Sequence, residues 1–536
     1  MSFSDQHHVA FAQGDRQKRM IDVENYLAGR WQSGTGEGQP LTNPLDGRVL
    51  ARVSTQGLDL AEALDYAREH GGSGLRRLGF AARAALLSSI AGVLADKRED
   101  YYRISLENSG SGKDDAAIDI EGAIFTLKTY ASLGKKLGDA TRLTEGDSHS
   151  LSKTGDFSAQ HFLLPMQGAA VLINAFNFPA WSLWEKAAGA LLSGMPVLAK
   201  PATASCWLTQ RMVRDVIEAG ILPEGALSVM CGSAGDLLDH LDETDVVSFT
   251  GSADTAARIR THPNLLACSV RINVEADSIN SAIVGTDVEP DSEVFALAVR
   301  EIVREMTVKA GQKCTAIRRV LVPQSLAGPL ADALVAKLAA CTVGDPAEDG
   351  VRVGPLVNEA QARAARQGVE KLRSECAELY SGQDTEGALF APVLLRNDKG
   401  VDAEFVNDIE VFGPVATLMP YTDIDEAIAI ARRGRGSLVA SVYSDEPSFI
   451  DPLVAGIADL HGRVMVVDSM VGKQHTGHGN VMPTCQHGGP GRAGGGEELG
   501  GLRALNFYHR RVVVQGSPRT LQALAAQAVS SDLLYS

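Results

Sequence analysis

Lys309-Ala310-Gly311-Gln312-Lys313-Cys314-Thr315-Ala316 follows a charged amphipathic segment and precedes the apolar run Val320-Leu321-Val322. A helical pattern therefore yields to a strand pattern at this stretch. A cysteine placed there, between Gly, Gln and small residues, has the access and backbone freedom that a thiolate nucleophile needs. Cys314 is the candidate nucleophile. Six other cysteines compete with it, at 206, 231, 268, 341, 376 and 485. An isolated cysteine is more often an inert buried hydrophobe than a catalyst, so the assignment needs partners.

The chain has 536 residues, too many for one hydrophobic core, and two or three domains are expected. Its formal charge of −16 argues against nonspecific nucleic-acid binding and against anionic membrane surfaces. The seven cysteines are odd in number and include no CxxC pair, which signals neither a disulfide framework nor a structural zinc site. Met1 to Arg19 carries Asp and two His in place of an apolar core, so no secretory signal is expected and the cytoplasm is the expected compartment. The uncharged stretch Phe162 to Trp184 is interrupted by Pro165, Gln167, Asn174, Asn177 and Pro179. It reads as buried strand, loop and helix start, not as a membrane span.

Outward from the cysteine, the pattern is α/β. Residues 22–52 are polar and turn-rich, an antiparallel entry region. Residues 58–137 carry apolar positions at helical spacing, and 141–166 read as an extended hairpin outside the core, an arm suited to assembly. Between 168 and 287 short apolar runs alternate with helical segments: Ala169–Ala175, Pro196–Ala199, Leu227–Cys231, Val246–Thr250, Val270–Val274 and Ser281–Val284. That rhythm predicts βαβ units and a mostly parallel, dinucleotide-type sheet. A helix over 291–308, strands at 320–322, near 390–395, 415–420, 438–443 and 463–467, and a helix over 325–340 form a second α/β block. A ligand would sit in the crevice between the two sheets. The glycine-dense run Gly488 to Gly496 contains Arg492 and precedes Glu497 and Glu498, which argues for an ordered loop near the cleft.

Five further stretches offer chemistry. Asn174-Ala175-Phe176-Asn177-Phe178-Pro179 ends a buried strand, where an Asn amide donates to a developing oxyanion; the bland alternative is that Asn177 caps the next helix. Trp181 and Trp184 in that helix pattern read as core. Lys200-Pro201-Ala202-Thr203 places a lysine at a strand's carboxyl end, within reach of ribose or phosphate, though most lysines are simply solvated. Phe249-Thr250-Gly251-Ser252 can present N–H groups to pyrophosphate or merely cap a helix. Glu275 at a strand end can act as general base, with Asp277 competing for the role and a salt bridge as the plain alternative. In Glu410-Val411-Phe412-Gly413-Pro414, Glu410 is suited to holding a ribose and Phe412 to packing on a nicotinamide ring, unless this is only a turn with one core aromatic.

Together and in this order, these motifs and Gly311-Gln312-Lys313-Cys314 resemble the sequential motifs of the aldehyde dehydrogenase superfamily, from about residue 22 to 515. The resemblance implies a Rossmann-like NADP-binding domain (1–140 and 167–285), a catalytic domain (286–487) and a β oligomerisation arm (141–166 and 503–516) that forms a homodimer. It also implies that Cys314 attacks the aldehyde carbon, that Asn177 and the Cys314 main-chain N–H hold the oxyanion, and that Glu275 activates water to hydrolyse the thioester. Asn174, Phe176, Lys200, Thr203, Gly251, Ser252, Glu410 and Phe412 are then the cofactor contacts, with no metal.

Three departures matter. Asp277-Ser278 stands where most members have a glycine pair, Ala256 where many have glycine, and Thr203 where NAD-preferring members commonly carry Glu. A carboxylate at 203 would repel a 2′-phosphate and a threonine would not, so NADP is the expected cofactor. Glu275 through Ser281, and His475-Thr476-Gly477-His478-Gly479 through His487 to Gly501, are similar to the subgroup that handles CoA-linked semialdehydes in aerobic aromatic degradation, including the dehydrogenase domain of bifunctional phenylacetate ring-opening enzymes. A CoA-linked semialdehyde of the benzoate route is thus the expected substrate, with a free semialdehyde or a catalytically silent scaffold as alternatives. His475, His478, His487 and Cys485 show no familiar metal spacing, and with Arg492 they are expected to line the substrate entrance.

Overall fold

The computed structural model describes residues 20–472 and 474–535, so the expectation about Met1 to Arg19 lies outside the described residues. The first alternating block folds as expected into a seven-stranded sheet. Its parallel part runs Arg271–Glu275, Val246–Thr250, Ala170–Ile173, Val197–Lys200, Leu227–Val229, and two antiparallel strands from the entry region, Asn25–Leu27 and Arg30–Gln32, extend the edge. The entry region is antiparallel as expected: part of it completes this sheet, and Gln39–Thr42 pairs antiparallel with Val49–Val53, whose other edge takes Ile21–Asp22 in parallel.

The second seven-stranded sheet runs Ala377–Ser381, Val393–Arg396, Val415–Tyr421, Ile317–Pro323, Asn280–Val284, Ser437–Tyr443, His461–Val467, parallel except for its first strand. Here one expectation is corrected. The run Ser281–Val284 was grouped with the first block, up to residue 285, but it pairs with Ile317–Pro323 and Ser437–Tyr443 at the heart of the second sheet. A fully buried strand reads alike in either sheet, because only pairing partners distinguish them. The chain thus crosses between sheets within four residues, Ala276 to Ile279, directly after Glu275.

The arm is a four-stranded sheet: His509–Gly516, Ser158–Pro165, Arg142–Ser150 and Ala528–Ser530. The last strand was not foreseen; its three residues carry too short an alternation to read. Val512, Val513, Leu151 and Phe157 stay exposed on this arm. The helix Trp181–Ser193 packs between the first sheet and the helix Lys113–Lys135, with twelve of its thirteen residues buried. Helices buried on all sides need small residues where neighbours approach, and Gly189 meets the Tyr508 ring at 3.0 Å from its notional Cβ. Among the described residues no single helix is long and apolar enough to cross a membrane; the bent pair Leu60–Arg76 and Phe80–Asp96 meets the length test, but Leu64, Leu75, Phe80, Leu87 and Ile90 are fully buried in the protein's own cores.

The glycine run near the C-terminus is an ordered strap. The N–H of Gly496 donates to Val274 (3.1 Å), and that of Ala276 to Ala493 (2.9 Å), so the strap is stitched on both sides of Glu275. Gly494 has φ +107, and a Cβ there would sit 2.2 Å from the Val274 carbonyl oxygen, while Gly495 has φ +69 with open space around it. Gly494→Ala is expected to lower stability by about 3 kcal/mol or more, against about 1 kcal/mol for Gly495→Ala, measured by urea unfolding. Equal costs at the two positions would show that the strap does not bear on the Glu275 strand.

Candidate active site

Cys314 is reached through a strained turn. Lys309, Ala310 and Gly311 have φ of 50°, 50° and 67°, three successive left-handed residues of which only glycine is at ease there. Gly311 is required twice, since a Cβ would also lie 2.3 Å from the Gly413 carbonyl oxygen. The buried guanidinium of Arg318 holds this shape by donating to the carbonyls of Gly311 (3.0 Å), Lys313 (3.2 Å) and Gly413 (2.7 Å). Asn280 donates to the carbonyls of Cys314 (2.8 Å) and Ala316 (3.0 Å), and Lys313 turns away into a buried pair with Glu305 at 2.7 Å.

Cys314 lines a narrow cavity together with Asn177, Trp181, Glu185, Thr250, Glu275 and His487. Asn177 does not cap the helix that follows: the N–H groups of Ala180 (3.2 Å) and Trp181 (2.7 Å) donate to the buried Asp119 carboxylate instead. Its amide is left to the cavity wall. Trp184 is core as expected, whereas Trp181 faces the cavity.

The carboxylate of Glu275 accepts from the Thr250 hydroxyl (3.4 Å) and pairs with Nε2 of His487 (3.2 Å), both through Oε2. Thr250 in turn takes a hydrogen bond from Nζ of the buried Lys186, which also reaches Oδ1 of Asn174 (3.4 Å). Burial pushes the Glu275 carboxyl up, but His487, the Cys314 thiol and Lys186 outweigh it and hold it down to about 2. Cys314 moves the other way: burial, then the charge and hydrogen bond of Glu275, then Glu410 and Glu185 raise its thiol well above the usual range. Although Cys314 is partly exposed to the cavity, its sulfur lies deep in the protein. Both shifts favour a neutral thiol beside an ionised carboxylate.

The other expected residues surround the same cleft. Glu410 is half-buried with its Oε1 shut off from solvent; its Oε2 accepts from the Ser278 N–H (3.0 Å), and Arg318 lies 3.5 Å from Oε1, which has no hydrogen bond. Burial, only partly offset by Arg318, raises Glu410 to about 7. Phe412 meets Phe176 edge to face at 5.6 Å, joining the two sheets across the cleft. The Lys200 ammonium is depressed by burial and donates to its neighbour's carbonyl at Pro201 (3.3 Å), while the Thr203 hydroxyl donates to Gly232 (3.2 Å). The Gly251 N–H donates to the Glu275 carbonyl (3.2 Å). Ser252 caps the helix Ala253–Arg260, and Asp277 accepts from the Ala253 N–H (2.9 Å), so the bland capping role is realised at this helix start.

Two expectations about the entrance are corrected. His478 is fully buried, its Nδ1 2.6 Å from the Ser441 hydroxyl, and Arg492 donates to the Asp408 carbonyl (2.7 Å) outside the cavity wall. Loop composition suggested exposure, but His478 is fully buried and Arg492 is half-buried against the Asp408 loop. Of that group only His487 lines the cavity. Sequence reasoning also missed Glu185, Lys186 and Arg318 as site residues, since charged residues in helix or strand patterns are normally solvated and nothing local marks them as buried.

These features belong to one known class. The model of the aldehyde dehydrogenase family matches residues 31–513, and the chain belongs to that family. It is 60% identical over 479 residues to the 3,4-dehydroadipyl-CoA semialdehyde dehydrogenase of Aromatoleum evansii, covering 88% of this chain and 93% of that one. It is also 41% identical to the protein MaoC of Klebsiella aerogenes, over 33% of this chain and 54% of that one. The fold matches solved structures such as an NAD-dependent aldehyde dehydrogenase from Sinorhizobium meliloti (TM-score 0.81, 21% identity, 95% and 97% of the two chains) and PnpE in complex with nicotinamide adenine dinucleotide (TM-score 0.80, 21% identity, 93% and 98%). The chain is an aldehyde-oxidising enzyme whose family works with a nicotinamide cofactor.

Because the thiol is raised, its thiolate fraction climbs steadily through the neutral range. Alkylation of Cys314 by iodoacetamide in the cofactor-free enzyme is expected to speed up roughly tenfold per pH unit between about pH 7 and 9, without a plateau. A plateau below about pH 7.5, followed by peptide mass spectrometry, would show a preformed thiolate instead.

Proposed function

We propose that this enzyme oxidises a CoA-linked semialdehyde, 3,4-dehydroadipyl-CoA semialdehyde or a near analogue, to the carboxylic acid with NADP as cofactor, in aerobic degradation of benzoate. The observation that carries this reading is the 60% identity along nearly both full lengths to an enzyme named for that substrate, joined to a cavity that gathers Cys314, Asn177 and Glu275. The innermost space measures about 40 Å³, enough for an aldehyde group and little more. The bulk of a CoA thioester then stays outside, and its binding energy serves to hold the reacting end in place.

In the proposed reaction the Cys314 sulfur forms a bond to the aldehyde carbon, and the thiol proton passes to Glu275, the carboxylate beside it. The resulting oxyanion is held by the Asn177 amide and the Cys314 main-chain N–H. A bound oxidised nicotinamide supplies the acceptor for the carbon's two electrons and hydrogen, which leaves a thioester on Cys314. Glu275 loses that proton to solvent before the second half-reaction, then takes one from water, whose oxygen bonds to the acyl carbon as the carbon–sulfur bond breaks, and returns it to the departing sulfur. The carboxylate that raises the thiol is thus also the proton's destination, which keeps the nucleophile quiet until substrate arrives.

The residues present fit the cofactor at two ends. Glu410, with its buried Oε1 lacking a hydrogen bond, suits the nicotinamide ribose, and Phe412 with Phe176 and Asn174 bounds the ring site. Lys200 and Thr203 suit the adenosine ribose and its 2′-phosphate, and no carboxylate stands at 203 to repel that phosphate. Gly251 and Ser252 are the proposed pyrophosphate contacts, made through the free side of the helix start, since Asp277 takes the Ala253 N–H. A homodimer through the arm, whose apolar residues at 151, 157, 512 and 513 are exposed, completes the reading in a cytoplasmic enzyme.

Cys314→Ala is expected to abolish aldehyde-dependent NADPH formation. The kcat/KM with NADP should exceed that with NAD, and Thr203→Glu should move the ratio toward NAD by about tenfold or more, one carboxylate–phosphate repulsion being worth at least about 1.4 kcal/mol. A CoA-linked semialdehyde should be used at least about tenfold more efficiently than the free acid-aldehyde of equal chain length. A preference for NAD would remove the cofactor assignment, and equal use of both aldehydes would remove the CoA-linked substrate.

A further inference from the structure

His487 belongs to a glycine-rich region that the reaction above leaves unused. It lies on the two-residue strand Gln486–His487, paired antiparallel with Glu498–Leu499. The strap between those strands, Gly488 to Gly496, runs across the backbone of Val274 to Ala276 and is hydrogen-bonded to it on both sides. The strap therefore fixes the distance between His487 and Glu275. Both are buried, at 8% and 2% exposure, and Nε2 lies 3.2 Å from Oε2. With Thr250 on the same oxygen, the carboxylate is held through Oε2, and Oε1 is buried without a hydrogen bond.

We propose that His487 is a positioning residue for thioester hydrolysis: it holds Oε2 of Glu275 so that Oε1 faces the acyl carbon on Cys314 and takes the proton of the attacking water. The proposal rests on the reading of Glu275 as the hydrolytic base. In the step it assists, the water oxygen bonds to the acyl carbon, the carbon–sulfur bond breaks with its electron pair on sulfur, and the water proton goes to Oε1. The histidine makes and breaks no covalent bond. Unheld, a glutamate side chain has three rotatable torsions, and the water would meet a correctly aimed oxygen only part of the time. Formation of the thioester asks less of this aim, because the thiol already lies against the carboxylate.

The two half-reactions therefore separate in a rapid-mixing experiment with the full chain, saturating NADP and a CoA-linked semialdehyde. His487→Leu is expected to retain a burst of about one NADPH per site, followed by a steady state slowed roughly tenfold to a hundredfold, in the range of a misplaced base. His487→Gln, whose Nε2 can donate to the same oxygen, should recover to within about threefold of the native steady rate. Adding hydroxylamine should accelerate the slow phase of His487→Leu, since it attacks the thioester without needing Glu275; a general folding defect would not respond. All assays contain EDTA, because ligand atoms of Glu275, Cys314 and His487 lie within 4.8 Å of one another and would suit a soft divalent cation. Native steady rates in His487→Leu, or a burst lost in proportion to the steady rate in both variants, would overturn the proposal. Glu275→Gln separates this from the reading beneath it: full hydrolysis in Glu275→Gln removes the base itself, whereas a hydrolysis defect there with none in His487→Leu removes only the histidine's part.

Discussion

The buried guanidinium of Arg318 is the constraint on which the site depends. Three consecutive residues in the left-handed region cost backbone energy, of order 1 kcal/mol or more each for the two that are not glycine. They persist because one rigid, planar fork of donors ties the carbonyls of Gly311, Lys313 and Gly413 together in a dry environment. The same cation sits 3.5 Å from Glu410 and over the Phe412 ring at 5.6 Å. Cys314 and the two motif residues beyond residue 400 are thereby fixed by one side chain. Removal of that side chain would leave three carbonyls and a carboxylate unmatched in the interior.

A second feature is the opposition of charges around the sulfur. Glu275, Glu410 and Glu185 all disfavour a thiolate, yet Glu275 itself is held ionised by His487 and Lys186. The buried Lys313–Glu305 pair, at 2.7 Å, is satisfied internally. The geometry favours a thiol that is protected at rest.

Much of this was legible in the chain itself. The strand runs of both sheets stand out because buried parallel strands are continuous and apolar. The arm's alternating text marks it as strand, but not as lying outside the core, since Leu143, Leu163 and Met166 pack into it. Residues at strand ends, Asn177, Glu275 and Lys200, are readable as candidates because ligand clefts form at the carboxyl ends of parallel strands. Lys186, Glu185 and Arg318 were not readable, since a charged residue in an apolar pattern looks the same whether it is solvated or buried with partners. His478 misled for the converse reason: a glycine-rich loop suggests exposure, and only its burial in the folded protein reveals otherwise.

What the chain alone determined was local: which segments are helix or strand, which cysteine has small and polar neighbours, and that no carboxylate stands at 203. Short-range periodicity and steric rules are written residue by residue, so they survive without coordinates. Pairing was decided by the folded molecule. That Asn280–Val284 joins the second sheet, that Asp119 takes the helix cap which Asn177 was free to fill, and that His487 reaches Glu275 from 212 positions away all depend on contacts between distant segments. Such contacts are set by how whole layers pack, and no stretch of the chain carries a mark of the partner it will meet.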